Sequence, residues 1–89
     1  MKVTFEKRFL KDLQKIKEKE VKQKVKEIII NLEDCDFFSD ITSIKKIKGY
    51  VNFYRIRTGN YRLGIFYDNN EIRLVRFLHR KEVYRYFPK

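Results

Sequence analysis

Phe53-Tyr54-Arg55-Ile56-Arg57-Thr58-Gly59-Asn60-Tyr61-Arg62-Leu63-Gly64-Ile65-Phe66-Tyr67-Asp68 is the stretch whose reading decides the fold. β-branched and aromatic residues alternate with charged ones on both sides of Gly59-Asn60, a two-residue hairpin signal in which glycine supplies the positive φ of a type II′ turn. The turn fixes the register. Thr58 opposes Tyr61, Arg57 opposes Arg62, Ile56 opposes Leu63 and Tyr54 opposes Ile65, and opposed residues share a face. Tyr54, Ile56, Leu63 and Ile65 then form an inner face, while Arg55, Arg57 and Arg62 gather on the other, where Gly64 leaves a low spot for an approaching group. Arginines that face one another repel, so the arrangement makes most sense with an anion between them.

The same period of two continues outward. Residues 44–48 and 71–79 read as further strands, separated from the hairpin by Lys48-Gly49 and Asn69-Asn70, and a meander of antiparallel strands is the simplest connection. Counting through Asn69-Asn70 places Arg73, Val75, Phe77 and His79 on the arginine face and turns Arg76 toward the inner one, where only a peripheral position with a snorkelling stem would suit it. Residues 80–86 read as a short terminal turn or helix.

Upstream, Val3 and Phe5 mark a short first strand, and the spacing of Phe9, Leu13 and Ile16 predicts a helix from about Glu6. Val21, Val25, Ile28, Ile29 and Leu32 form a second helical set, turned by roughly a quarter of a circle at about 100° per residue. One straight helix cannot bury both sets. A break within Lys17-Glu18-Lys19-Glu20 gives two helices on a common surface; with no Gly or Pro there, a single bent helix is the alternative. Residues 34–43 read as an acidic loop pinned by Phe37 and Phe38. The lysine-rich helices carry ordinary i,i+4 pairs, Glu18 with Lys22 and Glu20 with Lys24, and read as solvated faces.

Charge is distributed unevenly. Residues 1–44 hold 10 Lys/Arg against 9 Asp/Glu, whereas residues 45–89 hold 12 against 3, and seven of the eight arginines lie between Arg55 and Arg85. Guanidinium forks match phosphate oxygens, so this half points to a phosphate-rich partner, with a merely solvated basic face as the alternative. The 89 residues leave room for a single domain, 1–89, burying roughly 60–65% of its unfolded surface. Eight Phe and six Tyr suffice for a small core. A lone Cys35 and a lone His79 do not suggest a disulfide or a metal site. No bilayer-length apolar stretch or signal-peptide core is present, and the expected setting is cytoplasmic.

Taken in order, Lys46-Ile47-Lys48-Gly49-Tyr50, Tyr54-Arg55-Ile56-Arg57, Gly59-Asn60-Tyr61-Arg62-Leu63 and Leu78-His79-Arg80-Lys81-Glu82-Val83-Tyr84-Arg85 resemble toxins of the RelE/ParE superfamily over nearly the whole chain. Lys7-Arg8-Phe9-Leu10-Lys11-Asp12-Leu13 is similar to that family's first helix. The resemblance implies an α+β fold, two helices on a twisted, mainly antiparallel sheet of four to five strands. It also implies a RelB-like antitoxin in a toxin–antitoxin hetero-oligomer. In the RelE branch it implies cleavage of messenger RNA on the ribosome by attack of a 2′-hydroxyl on the adjacent phosphate, without metal or cofactor. Arg62 matches the family's arginine after Gly-x-Tyr, and Arg80 and Tyr84 match its basic residue and tyrosine after the last strand.

Arg55 and Arg57 fall where RelE members carry basic residues, often lysines, and arginine practically cannot exchange a proton. General-base work then falls to Tyr84 or to His79, whose side-chain type titrates near pH 6.5 when unperturbed. The expected catalytic residues are Arg57, Arg62, His79, Arg80 and Tyr84. Lys46, Lys48, Arg55, Arg57 and Arg73 are the expected RNA-binding residues. A ParE-like inhibitor of DNA gyrase and a non-catalytic binding module are the alternatives; for His79 a backbone-bonded strand end, and for Tyr84 simple packing, are the plainer roles.

Overall fold

The computed structural model describes residues 1–88. Strand β1 (Lys2–Phe5) leads into helices α1 (Lys7–Gln14) and α2 (Lys19–Asp34), and a 3₁₀ turn at Phe38–Asp40 precedes the strands β2 (Ile44–Lys46), β3 (Phe53–Thr58), β4 (Tyr61–Asp68) and β5 (Glu71–His79). A one-turn helix, α3 (Val83–Tyr86), follows. The sheet order is β1-β5-β4-β3-β2; β2 to β5 form the antiparallel meander, and β1 joins its far edge parallel to β5. This is the expected α+β arrangement, with the parallel strand as its exception.

Turn chemistry accounts for the meander. Gly59 has φ +57° and Asn60 is not in the positive region, as a type II′ turn requires; Asn69 and Asn70, at φ 49° and 60°, form the type I′ alternative. β2 stops at Lys46, short of residue 48: the Ile47 N–H still donates to the Phe53 carbonyl at 2.9 Å, but the chain then turns through Gly49 at φ +85°. The helix break falls at residues 15–18 rather than 17–20. There the N–H groups of Lys15 and Ile16 donate to the carbonyls of Asp12 and Leu13, tightening the last turn and dropping Ile16 into the core without a glycine.

Each sheet face carries an apolar cluster. Under the helices, Phe9, Ile16, Val25 and Leu32 meet Ile56, Leu63, Ile65, Ile72, Leu74 and Phe77, and full burial of each such side chain stabilises by roughly 1.5–3 kcal/mol. The hairpin register that directs Tyr54, Ile56, Leu63 and Ile65 inward is the one read from the sequence. On the opposite face Ile47, Val75, Leu78, Val83 and Phe87 form a second cluster flanked by Phe53 and Phe66. That face is therefore not open throughout. The low spot at Gly64 is filled by the Phe87 ring of the chain's own C-terminal segment: a Cβ at Gly64 would lie 2.7–2.8 Å from its carbons.

A β-bulge accounts for the largest difference from the sequence reading. Gly64 pairs with Arg76 but Ile65 pairs with Leu74, so Val75 is an extra residue on β5. Arg73 pairs with Phe66 and Val75 packs in the second cluster, both on the arginine side as expected. Beyond the bulge the alternation reverses: Phe77 pairs with Leu63 and His79 with Tyr61, which places both on the helix side, and Leu78 takes the arginine side opposite Arg62. Arg76 does reach the helices, and from a peripheral position, since β1 pairs with β5 only as far as Leu74. Its guanidinium bonds Asp12 of α1 through Nε at 2.7 Å and Nη2 at 3.0 Å, and the same carboxylate accepts the Phe77 N–H at 3.0 Å. The Asp12 hydrogen bond helps to raise the Arg76 pKa. In the loop after α2 only Phe38 acts as the pin, stacked on Tyr67 at 3.9 Å and edge-on to Tyr54 at 4.8 Å; Phe37 is 67% exposed.

Candidate functional site

The β3–β4 hairpin sets Arg57 directly opposite Arg62 and Arg55 opposite Gly64, while β2 adds Lys45 opposite Arg55. All of these point away from the helices, because the residues between them pack inward. Together with Ser43 and Ile44 they line a groove of about 460 Å³. Arg62 is the best-anchored member. Its Nη1 donates to the carbonyls of Gly59 at 2.9 Å and Tyr61 at 2.8 Å, which ties the side chain to the turn while using only two of a guanidinium's five donors.

The far end of β5 completes the cluster. The Arg80 N–H donates to the Asn60 carbonyl at 2.8 Å, bringing Arg80 beside the hairpin tip. One turn later α3 places Tyr84 with its ring centre 6.0 Å from Cζ of Arg55, at the limit of a cation–π contact. Burial holds the Arg62 pKa below the ordinary arginine value, and the charges of Arg55, Arg57 and Arg80 push the same way, with Tyr84 opposing them. Arg62 stays ionised at neutral pH, since its ordinary value is far above 7. After burial, the shift records the mutual repulsion of neighbouring guanidiniums.

Five of the expected residues are thus brought together: Arg55, Arg57, Arg62, Arg80 and Tyr84. Four are not. His79, reversed by the bulge, lies on the helix side, edge-on to Tyr61 at 5.6 Å. Its Nδ1 accepts the Lys81 N–H at 3.1 Å, and it lines a separate groove with Asp12, Lys15, Glu82 and Tyr86. Lys46 pairs with Tyr54 and so sits on the other side of the edge strand, and Lys48 is exposed in the following turn. Arg73 lies toward the other end of the face, over the Phe66 ring at 5.2 Å and 3.6 Å from Glu6. The residue missed was Lys45, although strict alternation from the inward Ile44 identifies it.

The chemistry available is electrostatic. A groove carrying several cations concentrates an anion, and guanidinium forks bind the non-bridging oxygens of a phosphodiester in pairs. Two side chains here carry a neutral O–H that could move a proton, Ser43 in the groove lining and Tyr84 beside Arg55. Among the described residues, no three His, Cys, Asp or Glu side chains gather where they could hold a metal ion, and no helix is long and apolar enough to cross a membrane.

Comparison with known proteins shows the family and the fold. A family model described as the ParE toxin of the type II toxin-antitoxin system, parDE, matches residues 3–84. Toxin RelE3 of Methanocaldococcus jannaschii is 46% identical over 89 residues, covering 99% of this chain and all of the relative. The crystal structure of the RelB-RelE antitoxin-toxin complex from Methanococcus jannaschii contains a chain that superposes with a TM-score of 0.81 at 42% identity, over 96% of this chain and 99% of that one. The archaeal RelE-RelB complex from Pyrococcus horikoshii OT3 gives a TM-score of 0.70 at 22% identity, with 92% and 97% covered, a likeness of fold alone.

Proposed function

Starting from the chain's membership of the RelE/ParE family of type II toxin–antitoxin toxins, we propose that it is a ribosome-dependent endoribonuclease that cuts messenger RNA and is neutralised by a RelB-like antitoxin. The observation that carries this reading is that Arg55, Arg57 and Arg62 line one groove, with Arg80 and Tyr84 close enough to act on them.

In the proposed reaction the ribose 2′-oxygen attacks the neighbouring phosphorus, its proton passing to a base, and the P–O5′ bond breaks as the leaving oxygen takes up a proton. The products are a 2′,3′-cyclic phosphate and a 5′-hydroxyl end. The pentavalent intermediate carries more negative charge than the diester, so arginines already fixed around it stabilise it more than the ground state. Arg62 is assigned to the non-bridging oxygens because its anchoring to the turn holds it in place before substrate arrives. Arg55, Arg57 and Lys45 hold the backbone, Tyr84 gives its phenolic proton to the departing 5′-oxygen, and the 2′-hydroxyl proton leaves to solvent water.

Primer extension on messages translated in a cell extract tests the reading. Cuts should appear within translated frames, and only with ribosomes present. Intact messages together with trapped, broken DNA on gyrase would assign the protein to the gyrase-inhibiting branch that the name of the matching family model leaves open.

The division between Tyr84 and His79 gives a second expected result. Tyr84→Phe should lower single-turnover cleavage by about a hundredfold or more, the usual scale for losing a positioned acid or base. His79→Ala should stay within a few-fold of wild type, because its ring faces the helix side of the sheet. A large loss in His79→Ala would return the proton transfer to that residue, and full activity in Tyr84→Phe would reduce Tyr84 to stacking on a base.

A further inference from the structure

We propose that Phe87, seated in the notch at Gly64, is a positioning residue for the reaction above: it determines where Tyr84 stands beside Arg55. The inference rests on the nuclease reading, but its structural half does not. α3 is a single turn of four residues whose N-cap, Glu82, makes no side-chain capping bond. An isolated turn of that length does not form by itself. It is held by the two buried side chains at its ends, Val83 at 0% and Phe87 at 1% exposure, which are four residues apart and joined by the Phe87 N–H donating to the Val83 carbonyl at 2.8 Å. Tyr84, between them, is 59% exposed and contributes little to its own placement.

The Phe87 ring has little freedom. Ring carbons Cε1, Cδ1 and Cζ lie 2.7–2.8 Å from where a Gly64 Cβ would be, a space that any other residue at 64 would occupy. The Phe53 ring meets it edge-on at 5.6 Å, and Ile47, Val75 and Leu78 share its cluster. Gly64 is also the cross-strand partner of Arg55, so the notch adjoins the strand position carrying the guanidinium nearest the Tyr84 ring. The contact therefore fixes the Tyr84 end of the pair beside the strand position that carries Arg55. The glycine serves the chain's own ring, which serves the tyrosine.

Two variants of the full chain test this, Phe87→Leu, which keeps an apolar filler in the notch, and Gly64→Ala, which pushes the ring out of it. Each is measured in the wild-type and Tyr84→Ala backgrounds, at a temperature where circular dichroism shows the fold retained. Single-turnover cleavage at saturating ribosome should fall by about ten- to a hundredfold in the wild-type background, the scale for a misplaced reacting group. In the Tyr84→Ala background the same changes should cost almost nothing further, because their route of action is already gone. Equal losses in both backgrounds, or no loss in either, would overturn the proposal and leave Phe87 a core residue only. A readout independent of cleavage is the NMR signal of the Tyr84 ring in tyrosine-labelled protein: it should shift in both variants while those of Tyr54 and Tyr67 hold still. If wild type cuts no message but the Tyr84 signal shifts, the nuclease reading fails and the Phe87–Tyr84 coupling stands; an unmoved signal sinks the coupling whatever the nuclease result.

Discussion

Asp12→Ala is expected to lower the unfolding free energy by about 3–5 kcal/mol, the cost of removing one partner of a buried ion pair. The carboxylate holds three donors from β5 at once, two from Arg76 and the backbone N–H of Phe77. Truncation leaves a poorly solvated guanidinium and an orphaned amide, and each loses more than the modest net worth of a hydrogen bond. Against a total stability of roughly 5–15 kcal/mol for a domain, the loss is large. Urea unfolding followed by circular dichroism measures it. Asp12→Asn should cost less, because an amide oxygen can still accept the Phe77 N–H, and Arg76→Met in the Asp12→Ala background should restore part of the loss by removing the stranded charge. A loss below about 1 kcal/mol in Asp12→Ala would mean that the Arg76 head reaches water and that the pair contributes little.

The same carboxylate explains why part of the fold could not be read from the sequence. The β3–β4 hairpin was legible to the residue because its register depends on adjacent information, a Gly-Asn turn and strict alternation on either side. The bulge in β5 has no such punctuation. Val75-Arg76-Phe77 carries no glycine, its one signal is a charged Arg76 that alternation turns inward, and what stabilises it is an aspartate 64 residues away on α1. Without that contact, strict alternation turns Phe77 and His79 to the wrong side. The arginine groove was legible in outline for the opposite reason: Arg55, Arg57 and Arg62 all sit on the hairpin itself. Lys46 and Lys48 were selected by their place in the family resemblance, whereas strand parity selects Lys45. The cover that Phe87 provides was invisible, since an exposed-looking glycine on a strand says only that something approaches, not that it comes from 23 residues further along the same chain.

Arg62→Ala is expected to reduce cleavage by about a hundredfold to a thousandfold, or 2.7–4 kcal/mol of transition-state stabilisation, the range for losing one fixed donor to a developing oxyanion. Its effect on stability should be small, for two opposed reasons. The bonds from Nη1 to the Gly59 and Tyr61 carbonyls lie near solvent, which can replace them. Removing the side chain also relieves its repulsion with Arg57, directly opposite, and with Arg55 and Arg80. A phosphodiester bound between these guanidiniums would offset that repulsion. Arg62→Lys separates charge from geometry: an ammonium retains attraction to the phosphate but loses the fork and the anchoring to the turn, and an intermediate rate is expected. Single-turnover cleavage and thermal melts on the same samples check both halves. An Arg62→Ala protein that melts early yet cuts normally in the cold would make Arg62 a clasp for the hairpin, and phosphate stabilisation would then fall to Arg55, Arg57 and Arg80.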